Sequence, residues 1–226
     1  MKKTFFAFLC CIAVAGAFGQ SKKLVTHSLL GLSFPDNKNL DKELKQGGRL
    51  ETASAYFSRG AGFYVIFPKV RLATMNYFNT YSGTRESGDR SSAVRGTQVG
   101  SSIGILLRRD AAFQVIPYAG LAYTFFGVRA AGSSPADGSS FTSYASGTPN
   151  QIHLSSNQWM GNAGFQFAKE GLGKSGLTKN IVIGLRAGYF LPLGQSKWKT
   201  NDTNLSGGPD VNTGGFYTSL LLGLIQ

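Results

Sequence analysis

Cysteine is missing from everything after residue 11: the two in the chain, Cys10 and Cys11, both fall among the first twenty of 226 residues. Once that segment is set aside, a disulfide framework, a thiolate metal site and a thiol nucleophile are all excluded. Charge is sparse, at 15% against about 25% in ordinary globular domains. Histidine is limited to His27 and His153. No apolar run approaching the ~20 residues of a membrane helix occurs beyond residue 19, which excludes a polytopic helical membrane protein. What the chain has instead is glycine, 30 residues, and aromatics at 12%. That mixture disfavours helical bundles, coiled coils and disordered tails. It leaves a β-rich fold.

The first residues read as an export address. Lys2 and Lys3 precede an apolar stretch over 5–14, and small residues, Ala17 and Gly19, stand where a signal peptidase needs them. Cleavage is expected after Gly19, giving a signal peptide over 1–19 and one domain over 20–226. The chain carries 23 basic and 11 acidic residues; without Lys2 and Lys3 the balance is 21 − 11 = +10. On an exported domain that surplus points to anionic lipid or glycolipid head groups rather than to nucleic acid. A domain of this size without disulfides needs a large core or a closed barrel.

Beyond residue 22 the dominant hydrophobic period is two, the signature of strands with unlike faces. Eight strands are expected, over 23–34, 50–67, 70–81, 94–108, 114–129, 158–168, 181–193 and 214–226. A helix-like stretch occurs only around Leu40–Leu44, inside a charged loop. Short and long connections alternate, and the long ones are 35–49, 82–93, 130–157 and 194–213. Within strands, Ile183, Leu185 and Tyr189 share one side while Gly184, Arg186 and Gly188 share the other. Phe165 and Phe167 likewise oppose Gly164 and Gln166, and Ile103 and Ile105 oppose Ser102 and Gly104. Bulky apolar residues on one side and small polar ones on the other suit a barrel with lipid outside. The expected fold is all-β, an eight-stranded antiparallel up-and-down transmembrane β-barrel. Aromatic pairs near strand ends, such as Phe125-Phe126 and Tyr189-Phe190, fit interfacial girdles.

Three runs carry a family resemblance: Gly60 to Ala73 (GAGFYVIFPKVRLA), Val115 to Tyr123 (VIPYAGLAY) and Gly184 to Tyr189 (GLRAGY). Together they resemble the small outer-membrane β-barrel proteins common in Bacteroidetes-type bacteria, with the architecture of the OmpA transmembrane domain and OmpX. The resemblance implies a barrel in the cell outer membrane and no shared catalytic residues. The chain departs from many such barrels in ending Gly223-Leu224-Ile225-Gln226, without a terminal aromatic.

Few residues point to chemistry. Residues 171–176 match G-x-G-x-x-G, but they run toward a strand, and a phosphate loop needs a helix N-terminus to receive the anion. No nucleotide and no cofactor are expected. His153 and Ser155 have the spacing that lipid A deacylases use on a strand, where His takes the Ser proton. They are expected in loop 130–157 with no acid close by, Glu170 and Asp137 being the nearest in sequence, so a loop His beside one of many Ser is the favoured reading. His27 stands alone on the first strand, so no metal site is expected. Arg71, Arg129 and Arg186 are candidates for the lumen, with Glu51 the one obvious acid for them. An eight-stranded barrel is filled by its own side chains, so a packed polar lumen is expected rather than a pore. Phe141 and Tyr144 in loop 130–157, and Trp198 in loop 194–213, are candidate aromatic contacts for a surface ligand.

These readings converge on a non-enzymatic outer-membrane barrel with an envelope-structural or surface-binding role carried by its long loops. Its partners would be outer-membrane lipid or lipopolysaccharide, and an extracellular or envelope protein. The alternatives are a Ser/His hydrolase acting on lipid A and an accessory barrel of a secretion system. A secreted lipocalin-like carrier would place its bulky apolar face inward, against the pattern seen.

Overall fold

The computed structural model describes residues 22–107, 113–131, 151–173, 176–195, 197–200, 203–205 and 212–226. The segment read as a signal peptide lies outside them, as do Phe141 and Tyr144.

Eight long strands close into a ring. They are β1 (Lys23–Asp36), β2 (Tyr56–Phe67), β3 (Leu72–Ser87), β4 (Arg90–Ile105), β5 (Phe113–Ala131), β6 (Gln151–Glu170), β7 (Ile181–Pro192) and β10 (Asn212–Ile225). Each pairs antiparallel with its sequence neighbour in the ring, and β10 pairs back to β1, with Val25 opposite Ile225. A short helix α1 (Lys38–Gln46) follows β1, and a small hairpin, β8 (Lys197–Thr200) and β9 (Thr203–Asn204), lies between β7 and β10. The alternation expected from sequence sets the facing: Phe165, Leu185, Ile103 and Leu222 are exposed while Gln166, Arg186, Ser102 and Leu221 are buried.

Several strands outrun their expected ends on one side, whereas β2 begins at Tyr56 and not at residue 50, because 50–55 belong to the segment that packs with the cap. β3 and β4 continue to Ser87 and from Arg90, so 82–93 is a tight hairpin turning at Gly88, whose φ of 61° suits glycine. β6 starts at Gln151 and takes in seven residues expected in a loop. The outward face explains the difference. Along β5 it is apolar from Phe113 to Phe125, about 40 Å of strand at ~3.4 Å per residue and about 29 Å of height at a ~45° tilt. That is the height of a bilayer core, and above it Gly127 and Arg129 face outward. Past the apolar band the outer face is polar, so the hydrophobic alternation fades although the ladder continues.

The projecting part of β3–β6 has its own core. Val94, Phe126, Val128, Ile152 and Leu154 turn inward, and α1 covers them with Leu40 and Leu44, four residues apart and both fully buried. The charged loop 35–49 is thus a docked cap. Arg49, 4% exposed, donates from Nη1 to the Ala130 carbonyl at 3.1 Å, and Asn37 Nδ2 donates to Thr52 Oγ1 at 3.1 Å. Trp198 is 1% exposed and packs edge-on against Phe126 at 6.3 Å. It is therefore a core residue of this cap and not a surface aromatic: β8 pairs with β6 through Ser156 and turns the indole inward.

Below the cap the barrel interior is filled. Ile66, Met75, Ile116 and Leu221 pack toward its base, and the middle layer is polar. Tyr77, Tyr118 and Tyr217 of this barrel cluster, and Tyr81 of the cap core, each lie opposite a glycine on a neighbouring strand, Gly100, Gly164, Gly188 and Gly96 respectively. A Cβ at Gly96 would stand 2.1 Å from the Tyr81 ring, so the glycines make room for the rings.

Candidate functional site

The lumen and the outer face of the projecting sheet hold the polar groups that sequence singled out, and they divide sharply between the two. Arg186 is inside, 1% exposed, with its guanidinium between the Tyr77 and Tyr118 rings at 4.5 and 4.6 Å. Its Nε donates to the Tyr118 hydroxyl at 3.1 Å. Asn162 Nδ2 donates to Tyr77 at 2.7 Å, and Tyr217 donates to Asn162 Oδ1 at 2.8 Å. Tyr118 and Tyr217 hydroxyls also bond each other. Among the described residues the buried carboxylate in the barrel is Glu170, which takes Lys23 at 2.8 Å and a bond from Gln114. Glu51, expected as a partner for the lumen arginines, instead meets Lys45 and Arg85 at 3.4 and 3.8 Å near the cap.

Arg71 and Arg129 are not in the lumen. Arg71 occupies the β2–β3 turn with φ 55° and an exposed side chain. Arg129 shares the outward parity of Phe125 and is exposed. The aromatic pair Phe125-Phe126 hid that parity, since one ring faces out and the other in.

His153 and Ser155 also depart from expectation. They lie on β6, both on the outward face, and not in a loop. The strand register assembles them with Arg129 in two adjacent rows across four strands. One row reads Ser82–Arg95–Gly127–Ser155 and continues to Lys199 on β8. The next reads Thr84–Ala93–Arg129–His153. Neighbours in such rows are about 5 Å apart. The rows line an open groove of about 600 Å³ with no carboxylate among its lining residues. His153 and Ser155 therefore lack the acidic third group that orients a hydrolytic His. Among the described residues no cluster of His, Cys, Asp and Glu suits a metal, and His27 lies in the barrel against Tyr64, 5.7 Å away. The glycine-rich run at 171–176 leads into a five-residue 3₁₀ turn (Gly176–Asn180) and then β7. Among the described residues no α-helix follows it to receive a phosphate.

No protein-family model and no curated protein sequence matches the chain. Solved structures do. A major outer membrane protein from Thermus thermophilus is similar at 15% identity and TM-score 0.55, over 91% of this chain and 98% of that one. Ail, the attachment invasion locus protein of Yersinia pestis, is similar at 10% and 0.46, over 91% and 98%. CarO2 of Acinetobacter baumannii follows at 9% and 0.42, over 90% and 99%. The chain has the fold of an outer-membrane β-barrel. Its closed ring, apolar exterior and filled interior fit that fold without further assumption.

Arg95 and Gly127 are among the groove residues that sequence reasoning passed over. Both fell inside expected strands, but only the register of four strands places them beside Arg129 and His153. The cap above has a titrating group of its own. Burial against the cap pushes the Asp41 carboxyl up from its ordinary value, opposed by the Thr52 amide that donates to it at 2.7 Å. A folded-state value above the unfolded one means that the Asp41 contribution to docking is fully present below the unfolded value. It is lost as pH rises through the folded one. Asp41→Asn, which keeps an acceptor and drops the charge, is expected to slow protease cleavage within 37–55 about twofold at most at neutral pH, because solvent screens this half-exposed carboxyl. The two proteins should converge in acid; a wild type that resists cleavage better at neutral pH would contradict this.

Proposed function

We propose that this is an exported, non-enzymatic outer-membrane barrel whose function is binding at the cell surface, carried by the sheet that β3–β6 raise above the apolar band. The observation that carries the reading is that this projecting sheet has its own core, sealed by α1, while its outer face is polar and cationic. A barrel serving only as a membrane filler has no use for a rigid extension of that kind. The segment over 1–19 acts as the cleaved signal, and the mature domain begins at Gln20. The sequence resemblance to Bacteroidetes-type barrels supports an origin among them. Lipopolysaccharide is the favoured partner because it supplies anions at the level of the outward arginines. Phe141 and Tyr144 are additional contacts for an extracellular or envelope protein.

A lipid A hydrolase is the second reading, favoured by His153 and Ser155 sharing one outward face of β6, and weakened by the missing acid. One preparation tests both. Protein from the envelope fraction is expected to migrate differently unheated and boiled in SDS, to give no single-channel steps in a planar bilayer, and to leave lipid A acylation the same with or without Ser155→Ala. Soluble protein without a heat shift overturns the location, discrete steps overturn the sealed lumen, and acyl loss that depends on Ser155 establishes the hydrolase.

A further inference from the structure

We infer that the groove over Gly127 binds the phosphate-bearing head group of an outer-leaflet glycolipid, held by Arg95 and Arg129 with His153 at its edge. The inference rests on the surface-binding reading above and gives it a site and a ligand class.

The two ladder rows alternate large cations with small residues. Arg95 and Arg129 stand on one diagonal, and Gly127 and Ala93 on the other. The result is a trough with a guanidinium at each of two corners. Glycine is not demanded at 127 by the backbone or by packing: a Cβ there would find its nearest neighbours at 3.8 and 3.9 Å, in ordinary contact. Most glycines facing the lumen, by contrast, sit where a Cβ would collide at under 3 Å. What the missing side chain does at 127 is keep the trough floor low.

The charge of the trough has one sign. Arg95 and Arg129 are exposed and make none of the ion pairs found among the described residues, and Lys199 extends the row. Glu86 of β3 is on the same face but one row higher, opposite Ser91. Guanidinium groups match phosphate oxygens with paired, charge-assisted bonds. Ser82, Thr84 and Ser155 around them offer hydroxyls of the kind that sugar rings use.

The level of the trough decides for a lipid over a soluble anion. Directly below Gly127 on β5 comes Phe125, 47% exposed, with Tyr123 edge-on at 5.0 Å. Trp159 of β6 meets Tyr123 at 5.1 Å. Aromatics of this kind mark the membrane–water boundary. A ligand in the trough thus has an apolar wall immediately beneath it, the arrangement an amphiphile needs: acyl chains along the aromatics and anionic head above.

The test titrates the full-length protein in detergent with bisphosphorylated lipid A, with the same lipid A stripped of phosphate, and with inorganic phosphate, reading bound ligand by native mass spectrometry. Gly127→Leu, which fills the trough, and the double variant Arg95→Gln with Arg129→Gln are each expected to weaken binding of bisphosphorylated lipid A about tenfold or more. Lys69→Gln, a charge removed at the opposite end of the barrel, should change nothing. Stripped lipid A should bind the wild type no better than phosphorylated lipid A binds the variants. Equal binding by all proteins overturns the site, and inorganic phosphate binding as tightly as lipid A overturns the lipid. A persisting heat shift in SDS shows each variant folded; if Gly127→Leu loses it, the glutamine pair, which adds no volume, decides. Failure here with the envelope test passed leaves the surface-binding reading standing with another partner.

Discussion

Tyr118→Leu is expected to lower the unfolding free energy of the barrel by about 3–5 kcal/mol, the range for uncovering a buried charge. Arg186 is 1% exposed, and no carboxylate among the described residues pairs with it. Its compensation comes from two ring faces at 4.5 and 4.6 Å and a hydroxyl acceptor at 3.1 Å. A cation over an aromatic face is stabilised by about 2 kcal/mol once desolvated. Leucine at 118 removes one of the two faces and the acceptor together, and leaves the Tyr217 hydroxyl with its bond to Asn162 alone. Urea unfolding from detergent measures the loss. Adding Arg186→Met to that variant should restore more than half of it, because the uncompensated charge is gone. Strictly additive losses would show that ring and cation are not coupled. Tyr118→Phe, which keeps the face, should cost about 1–2 kcal/mol.

Gly100→Val carries the second largest effect, about 3 kcal/mol, at the upper end for overpacking. The Tyr77 ring and hydroxyl lie 2.4 Å from where a Cβ at 100 would stand. That ring is backed by Asn162, which donates to its hydroxyl at 2.7 Å, and it covers the second face of Arg186. Displacing it therefore adds an uncovered cation to the steric cost. Gly127→Val is the matched control: the same change, one strand over, on the outward face, where a Cβ meets its neighbours at an ordinary 3.8 and 3.9 Å. It should leave stability within about 0.5 kcal/mol of wild type. Similar losses at both positions would mean that the cost belongs to glycine in strands generally and not to the space it leaves for tyrosine.

Much of the barrel was legible because lipid enforces a strict rule on every second residue. Leu185, Phe165 and Ile103 had to face out, which turned Arg186, Gln166 and Ser102 inward, and the structure agrees. The rule lapses above the membrane, where both faces of a strand carry small or polar residues. That is why β3, β4 and β6 read as shorter than they are and why His153 was expected in a loop. Trp198 stands between Lys197 and Lys199 in a strand of four residues, too short for alternation to show that the indole is buried. Arg71 illustrates a different limit, since a turn residue has no strand face to obey. The groove was illegible for a topological reason. Its residues come from four strands, and Arg95 and His153 line one groove only through the register of β5 between them.

The pairing of β1 with β10 also sets a timetable. Val25 finds its partner in Ile225, two hundred residues later, and the ring is open until the last strand exists. Loop closure over that separation comes before the contacts that reward it, so assembly is slow and leaves apolar strand edges waiting. An emerging chain of this kind cannot fold segment by segment on its way to the outer membrane. It has to be carried unfolded, shielded from its own edges, and released where the membrane can receive all eight strands together.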